Sequence, residues 1–389
     1  MSVRALVSTT ARTVARTRIA PQATRYTPVS AALATRAFTQ PQRTFSSTPR
    51  IMADGNMKCI LIKDGKGPVE NLYMGEEPVP QPKEGEIQVE IKAFGLNRMD
   101  IVQREGRYPL PPQASKTILG VEFSGTVTKV GDKATKYKVG DAVFGLTYGY
   151  ICANERMCLP KPDNLSWVQA AAIPENWLTA YQAVFLEGNM KKGANVLVHA
   201  GASGVGVAAI QLALDVGEAT KVYATCGTNE KVKFLNDEIA KGDKRFKAIN
   251  YRTQNFAEVI KEDNAGVDLV IDFVGKNYFN QNIEALNRDG TVVYLAFLSG
   301  PVFDKANFGP VLYKRLTLKG STLRSRDLEY QSNLLGQFEK NALPKILDGK
   351  MVIAVHEVFP WNEVQKAQKE MQDNKNSGKV SIGGRRGVG

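Results

Sequence analysis

The chain has 389 residues, of which 43% are hydrophobic and 23% are charged, as in ordinary soluble globular proteins. This length exceeds what a single core usually holds, so the sequence predicts two domains. No run of about eighteen apolar residues occurs, which argues against a membrane span. The net charge of +12 is concentrated in residues 1–50, which hold eight arginines and no acid. The remaining +4 gives no argument for binding nucleic acid.

Residues 1–51 form a leader that is rich in Arg, Ser, Thr and Ala. An acid-free segment of this composition is typical of a mitochondrial transit peptide, and residues 43–48 resemble a matrix-processing site. The alternative is a disordered basic tail, because the segment has little apolar content to pack. Met52 and Met57 offer start sites for a shorter cytosolic product. We therefore predict a protein of the mitochondrial matrix, with a cytosolic form from those starts.

Short strand-like segments alternate with turns from Met57 onwards, a pattern that favours a β-barrel over βαβ units. They are Cys59–Ile62, Ile87–Phe94, Glu122–Val130 and Asp141–Phe144. The first predicted domain spans residues 57–174. The strand-like segment Lys379–Ile382 indicates that residues 322–389 return to complete this domain.

From about Pro174 the pattern changes to strands that alternate with helices, which is typical of a doubly wound parallel sheet. The strands are Val196–Val198, Lys221–Thr225, Ala248–Asn250, Leu269–Asp272, Thr291–Leu295 and Leu316–Lys319. These elements predict a Rossmann domain over residues 175–321, so the expected fold class is α/β.

The first of these strands runs into a turn that contains Gly201, Gly204 and Gly206, and then into an apolar helix. Such a turn presents backbone N–H groups and a helix N-terminus to the pyrophosphate of a dinucleotide. Ser203 occupies the second glycine position of the standard motif. Its hydroxyl either bonds the cofactor or simply fills a small site, and the spacing leaves both readings open.

The four cysteines are scattered and form no C-x-x-C pair, so neither a structural zinc site nor a disulfide framework is indicated. The only histidines are His199 and His356, too few for a histidine triad or a multi-histidine metal site. We predict that both are structural.

Several separated motifs resemble the medium-chain dehydrogenase/reductase superfamily over about residues 57–382. They are Gly120–Val127, Val139–Gly145, Asn97-Arg98-x-Asp100, Arg104-x-Gly106-x-Tyr108-Pro109, Ala170–Pro174, Trp177–Ala180 and Leu323–Asp327. The chain is most similar to the zinc-free NADPH:quinone oxidoreductases, the ζ-crystallin-like group, and within it to the tumour-suppressor-inducible branch of animals. This resemblance implies a GroES-like β-barrel catalytic domain, a Rossmann domain and a homodimer.

Zinc-dependent members of this superfamily polarise their substrate with a metal held by two Cys and one His. The corresponding positions here are Asn97, Val121 and Glu175. The resemblance therefore implies no metal. A quinone or enone is already electrophilic and needs only positioning and a hydrogen bond to its developing oxyanion.

The resemblance places Asn97, Asp100 and Tyr108 on the substrate side of the cleft, with Ser203 facing the cofactor. Tyr108 is the candidate for donating a hydrogen bond to a carbonyl oxygen, although its spacing alone favours an aromatic residue in a turn that covers the barrel. Asp100 has the alternative of orienting its neighbours, and Asn97 that of bracing a turn.

An NAD enzyme places an acid about 20 residues after the glycine turn, but residues 224–229 contain none. Lys231 follows, and the resemblance brings Tyr251 and Arg326 to the same phosphate, which favours NADPH. Glu230 opposes this interpretation, and Lys231 has the alternative of a solvated residue at a helix start. The resemblance also assigns cofactor contacts to Thr179, Gly201, Ser203, Gly204, Val205, Gly206, Gly227, Thr228, Phe273, Leu295 and Arg324.

The sequence thus predicts a zinc-independent, NADPH-dependent reductase of small quinones or similar enones. One alternative is a mitochondrial enoyl-thioester reductase, although no cluster of basic residues for an acyl carrier is evident. Another is an NADPH-binding protein with an RNA-associated role, to which the modest charge of residues 51–389 gives little support.

Overall fold

The computed structural model describes residues 55–149 and 151–383. The predicted transit peptide at residues 1–51 and the start site Met52 lie outside these residues. No helix within the described part is long and apolar enough to cross a membrane.

The first part of the described chain consists mainly of short strands. They are β1 (Asn56–Ile62), β2 (Leu72–Pro78), β3 (Glu86–Gly95), β4 (Glu122–Val130), β5 (Ala142–Leu146), β6 (Cys152–Asn154) and β7 (Cys158–Pro160). Its helices are α1 (Arg98–Arg104), α2 (Trp167–Ala171) and α3 (Pro174–Tyr181). A π-helical segment, Gln182–Glu187, continues α3.

Strands and helices then alternate along the chain. The strands are β8 (Asn195–Val198), β9 (Lys221–Cys226), β10 (Phe246–Asn250), β11 (Val267–Asp272), β12 (Leu286–Tyr294) and β13 (Thr317–Gly320). The helices between them are α4 (Gly204–Asp215), α5 (Asn229–Phe234), α6 (Phe256–Glu262), α7 (Phe279–Ala285) and α8 (Gly309–Tyr313). The closing elements are α9 (Leu328–Asn341), α10 (Leu343–Leu347), β14 (Val355–Pro360), α11 (Val364–Gln372) and β15 (Lys379–Gly383).

Six parallel strands form one sheet in the order β10-β9-β8-β11-β12-β13. All six predicted strands are present, with ends that differ by a few residues. The chain winds outward from β8 in both directions, so a crevice opens between the carboxyl ends of β8 and β11, where dinucleotides bind in this topology. The apolar run of α4 is buried from Gly206 to Leu214 because the helix packs on this sheet.

A second sheet has seven strands in the order β14-β15-β3-β4-β5-β7, with β6 paired to β3. Its carboxyl-terminal strand β15 pairs antiparallel with β3, and Ser381 lies opposite Gly95. The end of the chain thus joins strands from its beginning. The predicted α/β fold class, a GroES-like domain plus a Rossmann domain, is confirmed. The boundaries at residues 57–174, 175–321 and 322–389 stay predictions.

Candidate functional site: the crevice between the two sheets

The glycine-rich turn lies at the crevice, between β8 and α4. Ala200 has φ 47°, an unusual backbone conformation for a residue with a side chain. A Cβ on Gly206 would lie 2.4 Å from the Ala200 carbonyl oxygen, and one on Gly201 would lie 2.8 Å from the Cβ of Ala224. These glycines are therefore required by contacts inside the turn as well as by any phosphate that approaches it.

Ser203 caps helix α4, since its Oγ accepts a hydrogen bond of 3.0 Å from the Gly206 N–H. The loop before β15 braces the same turn, because the Gly378 N–H donates to the Ala202 carbonyl at 2.8 Å. The hydroxyl proton of Ser203 remains available for donation. Ser203 thus does more than fill a small site, and its contact with a cofactor, in which it would be the donor, stays a prediction.

We expect Gly206→Ala to lower the free energy of unfolding by about 1–3 kcal/mol, because the added methyl group overlaps backbone atoms of the turn. The affinity for a nicotinamide cofactor should fall as well. Denaturant unfolding and fluorescence titration measure the two effects. The matched control is Gly336→Ala within α9, where an added Cβ meets no atom within 4 Å. Equal stability of the two variants would contradict this prediction.

Three cations from separate elements converge beyond the end of β9. The Lys231 ammonium donates to the Asn374 carbonyl at 2.7 Å, and Arg98 Nη2 donates to Asn374 Oδ1 at 2.6 Å. Burial, and next to it the charges of Arg98 and Arg252, lower the pKa of Lys231. We call Arg98, Lys231 and Arg252 the cationic cluster. Like charges held together in this way favour an anion.

Other residues predicted for the adenosine end of a cofactor lie beside the cationic cluster. A Cβ on Gly227 would lie 2.7 Å from the hydroxyl oxygen of the exposed Tyr251, so the tyrosine covers this glycine. Thr228 Oγ1 accepts a hydrogen bond of 3.2 Å from the Lys231 N–H. Glu230 is exposed, and its backbone and Thr228 lower the pKa of its carboxyl.

Arg326 is not brought to the cationic cluster, contrary to the expectation from the resemblance. Its guanidinium forms a 2.6 Å ion pair with Glu187 and lies 4.3 Å from the ring centroid of Tyr330. Lys319 on β13 pairs with the same carboxylate. Strand β13 lies at one edge of the parallel sheet, and β8, β11 and β12 separate it from β9. The buried carboxylate of Glu187 therefore holds Arg326 near the edge formed by β13, away from the cationic cluster.

The remaining predicted cofactor residues flank the crevice. Phe273 and Leu295 directly follow β11 and β12, at the carboxyl edge of the parallel sheet. Thr179 lies on α3, and its hydroxyl donates to Glu175 Oε1 at 3.4 Å. Val205 lies in the first turn of α4.

On the side of the seven-stranded sheet, Asn97 is the N-cap of α1 and Asp100 lies in its first turn. The Asn97 N–H donates to Asp100 Oδ2 at 2.7 Å, and the Gly120 N–H donates to Asp100 Oδ1 at 3.2 Å. Asp100 is completely buried, which raises the pKa of its carboxyl to about 6. Both carboxylate oxygens thus accept hydrogen bonds from backbone N–H groups, which is consistent with the alternative that Asp100 orients its neighbours.

A buried ion pair lies behind Asn97. Lys379 on β15 pairs with Glu122 on β4, and their side chains are 4% and 0% exposed. Asn97 donates to Glu122 Oε1 at 2.9 Å and accepts from the Lys379 ammonium at 2.6 Å. The sequence reasoning missed both members of this pair. The available signals were the Glu122 carboxylate inside a barrel motif and the Lys379 charge at the start of an apolar strand.

Tyr108 lies beside Arg324, whose guanidinium carbon is 5.6 Å from the ring centroid. Arg324 is 6% exposed and donates to Gln103 Oε1 at 2.8 Å. Its Nε and Nη2 atoms have no hydrogen-bond partner among the described residues. Arg324 therefore lies beside Tyr108, and its predicted contact with the cofactor stays a prediction. Burial, and then the charge of Glu175, raise the pKa of the Tyr108 phenol, so it keeps its proton.

Two cavities adjoin this network. A cavity of about 10 Å³ is lined by Glu175, Arg324, Val121 and Tyr148 among others. A mostly apolar cavity of about 490 Å³ lies between β1, β3 and α11, with Asp100 and Glu122 in its wall. Its lining residues all come from 57–151 and 361–383, so it is separate from the crevice at the parallel sheet.

The two histidines make structural contacts. His199 is buried, with Nδ1 at 2.9 Å from Thr225 Oγ1 and Nε2 at 2.7 Å from Asn282 Oδ1. Burial lowers the pKa of this imidazole, which keeps it neutral. His356 Nε2 lies 3.3 Å from Glu370 Oε1. Within residues 55–149 and 151–383, no three His, Cys, Asp or Glu side chains are grouped to hold a metal ion.

A Rossmann sheet with a glycine turn, joined to a GroES-like sheet that carries polar side chains, defines a nucleotide-dependent oxidoreductase. Residues 83–183 match the alcohol dehydrogenase GroES-like domain, and residues 204–338 match the zinc-binding dehydrogenase model. The chain belongs to the medium-chain dehydrogenase/reductase family, as the sequence motifs predicted.

Solved structures with this fold include quinone and enoyl reductases. The quinone oxidoreductase of Escherichia coli, complexed with NADPH, is 27% identical with a TM-score of 0.72, covering 84% of this chain and 99% of that one. The CurK enoyl reductase is also 27% identical, with a TM-score of 0.71 and the same coverage.

Curated relatives are more varied in length. The probable polyketide synthase 14 of Dictyostelium discoideum is 29% identical over 292 residues, which are 67% of this chain and 10% of that protein. The mouse synaptic vesicle membrane protein VAT-1 homolog-like is 30% identical over 249 residues, 62% of this chain and 57% of the relative. The chain thus spans less than two thirds of both relatives.

Proposed function

We propose that this protein is a zinc-independent, NADPH-dependent reductase of quinones or similarly activated enones, from the tumour-suppressor-inducible branch of the quinone oxidoreductases. The observation that carries the proposal is the pair Tyr108 and Arg324. Their phenol and free guanidinium N–H groups are donors suited to an oxygen that gains negative charge. A conjugated carbonyl compound presents such an oxygen when it is reduced.

The bound cofactor supplies a hydride. The turn from Gly201 to Gly206 would hold its pyrophosphate, with Ser203 donating a hydrogen bond. The cationic cluster and Tyr251 fit the 2′-phosphate that distinguishes NADPH from NADH, since no acid lies between residues 224 and 229. On the opposite side, Tyr108 and Arg324 would orient the acceptor oxygen and stabilise its developing charge.

The site is a poor fit for a catalytic zinc ion. Both polar atoms of the Asn97 amide are occupied, one by Glu122 and the other by the Lys379 ammonium. A dication placed against this ammonium would meet a like charge in a buried region, where Coulomb repulsion is strong.

Turnover assays with NADPH test the proposed function. We expect oxidation of NADPH with 1,2-naphthoquinone, slower oxidation with a crotonyl thioester, and none without an acceptor. Turnover of the thioester alone would replace the quinone proposal with an enoyl reductase. Binding of NADPH without any turnover would instead support a non-enzymatic role.

An enoyl-thioester reductase is the second candidate, because this chain is as similar to the CurK enoyl reductase as to the E. coli quinone oxidoreductase. The carbonyl oxygen of an unsaturated thioester would accept hydrogen bonds from the same two residues, Tyr108 and Arg324. The two candidates differ in the substrate that they take and share every residue role proposed above.

We expect the purified protein to carry no stoichiometric zinc, because Asn97 and Val121 stand at two of the ligand positions and the Lys379 ammonium contacts Asn97. Elemental analysis of protein purified without chelators measures the metal content. One tightly held zinc ion per chain, lost together with activity on chelation, would overturn the prediction.

We also propose that the enzyme is a homodimer of the mitochondrial matrix and that residues 1–51 are removed on import. Amino-terminal sequencing of protein from isolated mitochondria should then begin after the arginine-rich leader. Recovery of an intact Met1 from that source would contradict this assignment.

A further inference from the structure

Glu175 lies where the two sheets meet, in the first turn of α3. Its N–H donates to Glu122 Oε2 at 2.8 Å, and its Oε1 accepts from the Thr179 hydroxyl at 3.4 Å. With Arg324 and Val121 it lines the cavity of about 10 Å³, which is close to the space that one water molecule needs. The carboxyl thus lies between the side of the predicted cofactor and that of the substrate.

Charged groups face Glu175 from four other elements. Asp100 on α1 and Glu122 on β4 disfavour its ionised form, whereas Lys379 on β15 and Arg324 before α9 favour it. Burial is the largest influence, and the balance raises the pKa of Glu175 to about 7. The carboxyl therefore exists in both protonation states near neutral pH, as an efficient acid catalyst must.

Reduction of a carbonyl acceptor by hydride leaves an oxyanion that needs a proton. Asp100 and Glu122 are nearly inaccessible, and the oxygens of each carboxylate already accept hydrogen bonds. Glu175 is partly exposed, and a single weak hydrogen bond engages its carboxyl among the contacts described. It is thus the carboxyl of this network with access to the crevice.

We propose that Glu175 is a catalytic residue, the proton donor that completes reduction of the acceptor. The inference rests on the proposed function. The acceptor gains two electrons and one hydrogen as hydride from the nicotinamide cofactor, and its π bond breaks. The O–H bond of Glu175 then breaks as its proton passes to the oxyanion, directly or through one water. Solvent water reprotonates the carboxylate after the product leaves.

The pH dependence of kcat with NADPH and 1,2-naphthoquinone tests this role. Because the protonated carboxyl is the active form, kcat of the wild type should fall as pH rises through about 7. Glu175→Gln should lower kcat about 100-fold or more and abolish this limb of the profile, with little change in the affinity for NADPH. Glu175→Asp should retain the limb at reduced kcat, and Glu357→Gln, an exposed glutamate on β14, should match the wild type.

Wild-type kcat and pH profile in Glu175→Gln would overturn the inference while leaving the proposed function intact. Absence of turnover by the wild type with any acceptor would instead overturn the proposed function, and the inference with it. If Glu175→Gln does not fold, Glu175→Asp decides the matter, because a profile without the limb would then exclude Glu175 as the donor.

Discussion

Lys379→Met is expected to lower the free energy of unfolding by about 3–5 kcal/mol. The substitution keeps most of the side-chain volume but removes the ammonium that faces Glu122 and Asn97. The Glu122 carboxylate then stays buried without a counter-charge, and this desolvation penalty is the source of the large effect. Equilibrium unfolding in urea measures the change.

Lys366→Met provides the matched control, because Lys366 forms a 3.0 Å ion pair with Glu363 at the surface. An exposed pair of this kind contributes at most about 1 kcal/mol, so the control should unfold almost like the wild type. The double variant Glu122→Gln with Lys379→Met should recover part of the loss. Equal free energies of unfolding for Lys379→Met and Lys366→Met would show that the buried pair contributes no more to stability than the exposed pair.

Lys231→Glu is expected to raise the KM for NADPH about ten- to a hundredfold and to leave that for NADH nearly unchanged. A charge-assisted hydrogen bond to phosphate is worth about 1.5–3 kcal/mol, which corresponds to this range. Arg98 and Arg252 remain in the variant, so binding should weaken without being abolished. Steady-state kinetics with both cofactors measures the effect.

Lys233→Glu is the control for this substitution. Lys233 lies on the same helix, α5, but is exposed and pairs with Asp237. The control should leave the KM for NADPH unaltered. If Lys231→Glu raises the KM for both cofactors equally, the contact of Lys231 with the Asn374 carbonyl is structural. Lys231 would then give no preference for NADPH.

Local patterns predicted most of the fold. The six strands of the parallel sheet were readable because each is a short apolar run between turns or helices. Strand β2 was missed because Gly75-Glu76-Glu77-Pro78 has the composition of a loop. Its pairing with β1, where Asn56 lies opposite Pro78, depends on backbone hydrogen bonds that carry no sequence signal.

The site was predictable where its residues are close in sequence. Gly227, Thr228 and Lys231 follow one strand, and the structure keeps them together with Tyr251. Arg326 was misplaced because its partner, Glu187, is 139 residues away and is reached only through the tertiary fold. Lys379 and Asn97 are also far apart in sequence, and the pairing of β15 with β3 brings them into contact.

The placement of β15 also determines when the contacts of the crevice can form during synthesis of the chain. Asn97 precedes Lys379 by 282 residues, so a ribosome releases the Asn97 amide long before the ammonium that donates to it. Gly378, next to Lys379, braces the glycine turn through the Ala202 carbonyl. Gly378 and Lys379 therefore complete both the glycine turn and the network around Asn97. A nascent chain that has not yet reached residues 378 and 379 therefore lacks these contacts on both sides of the crevice.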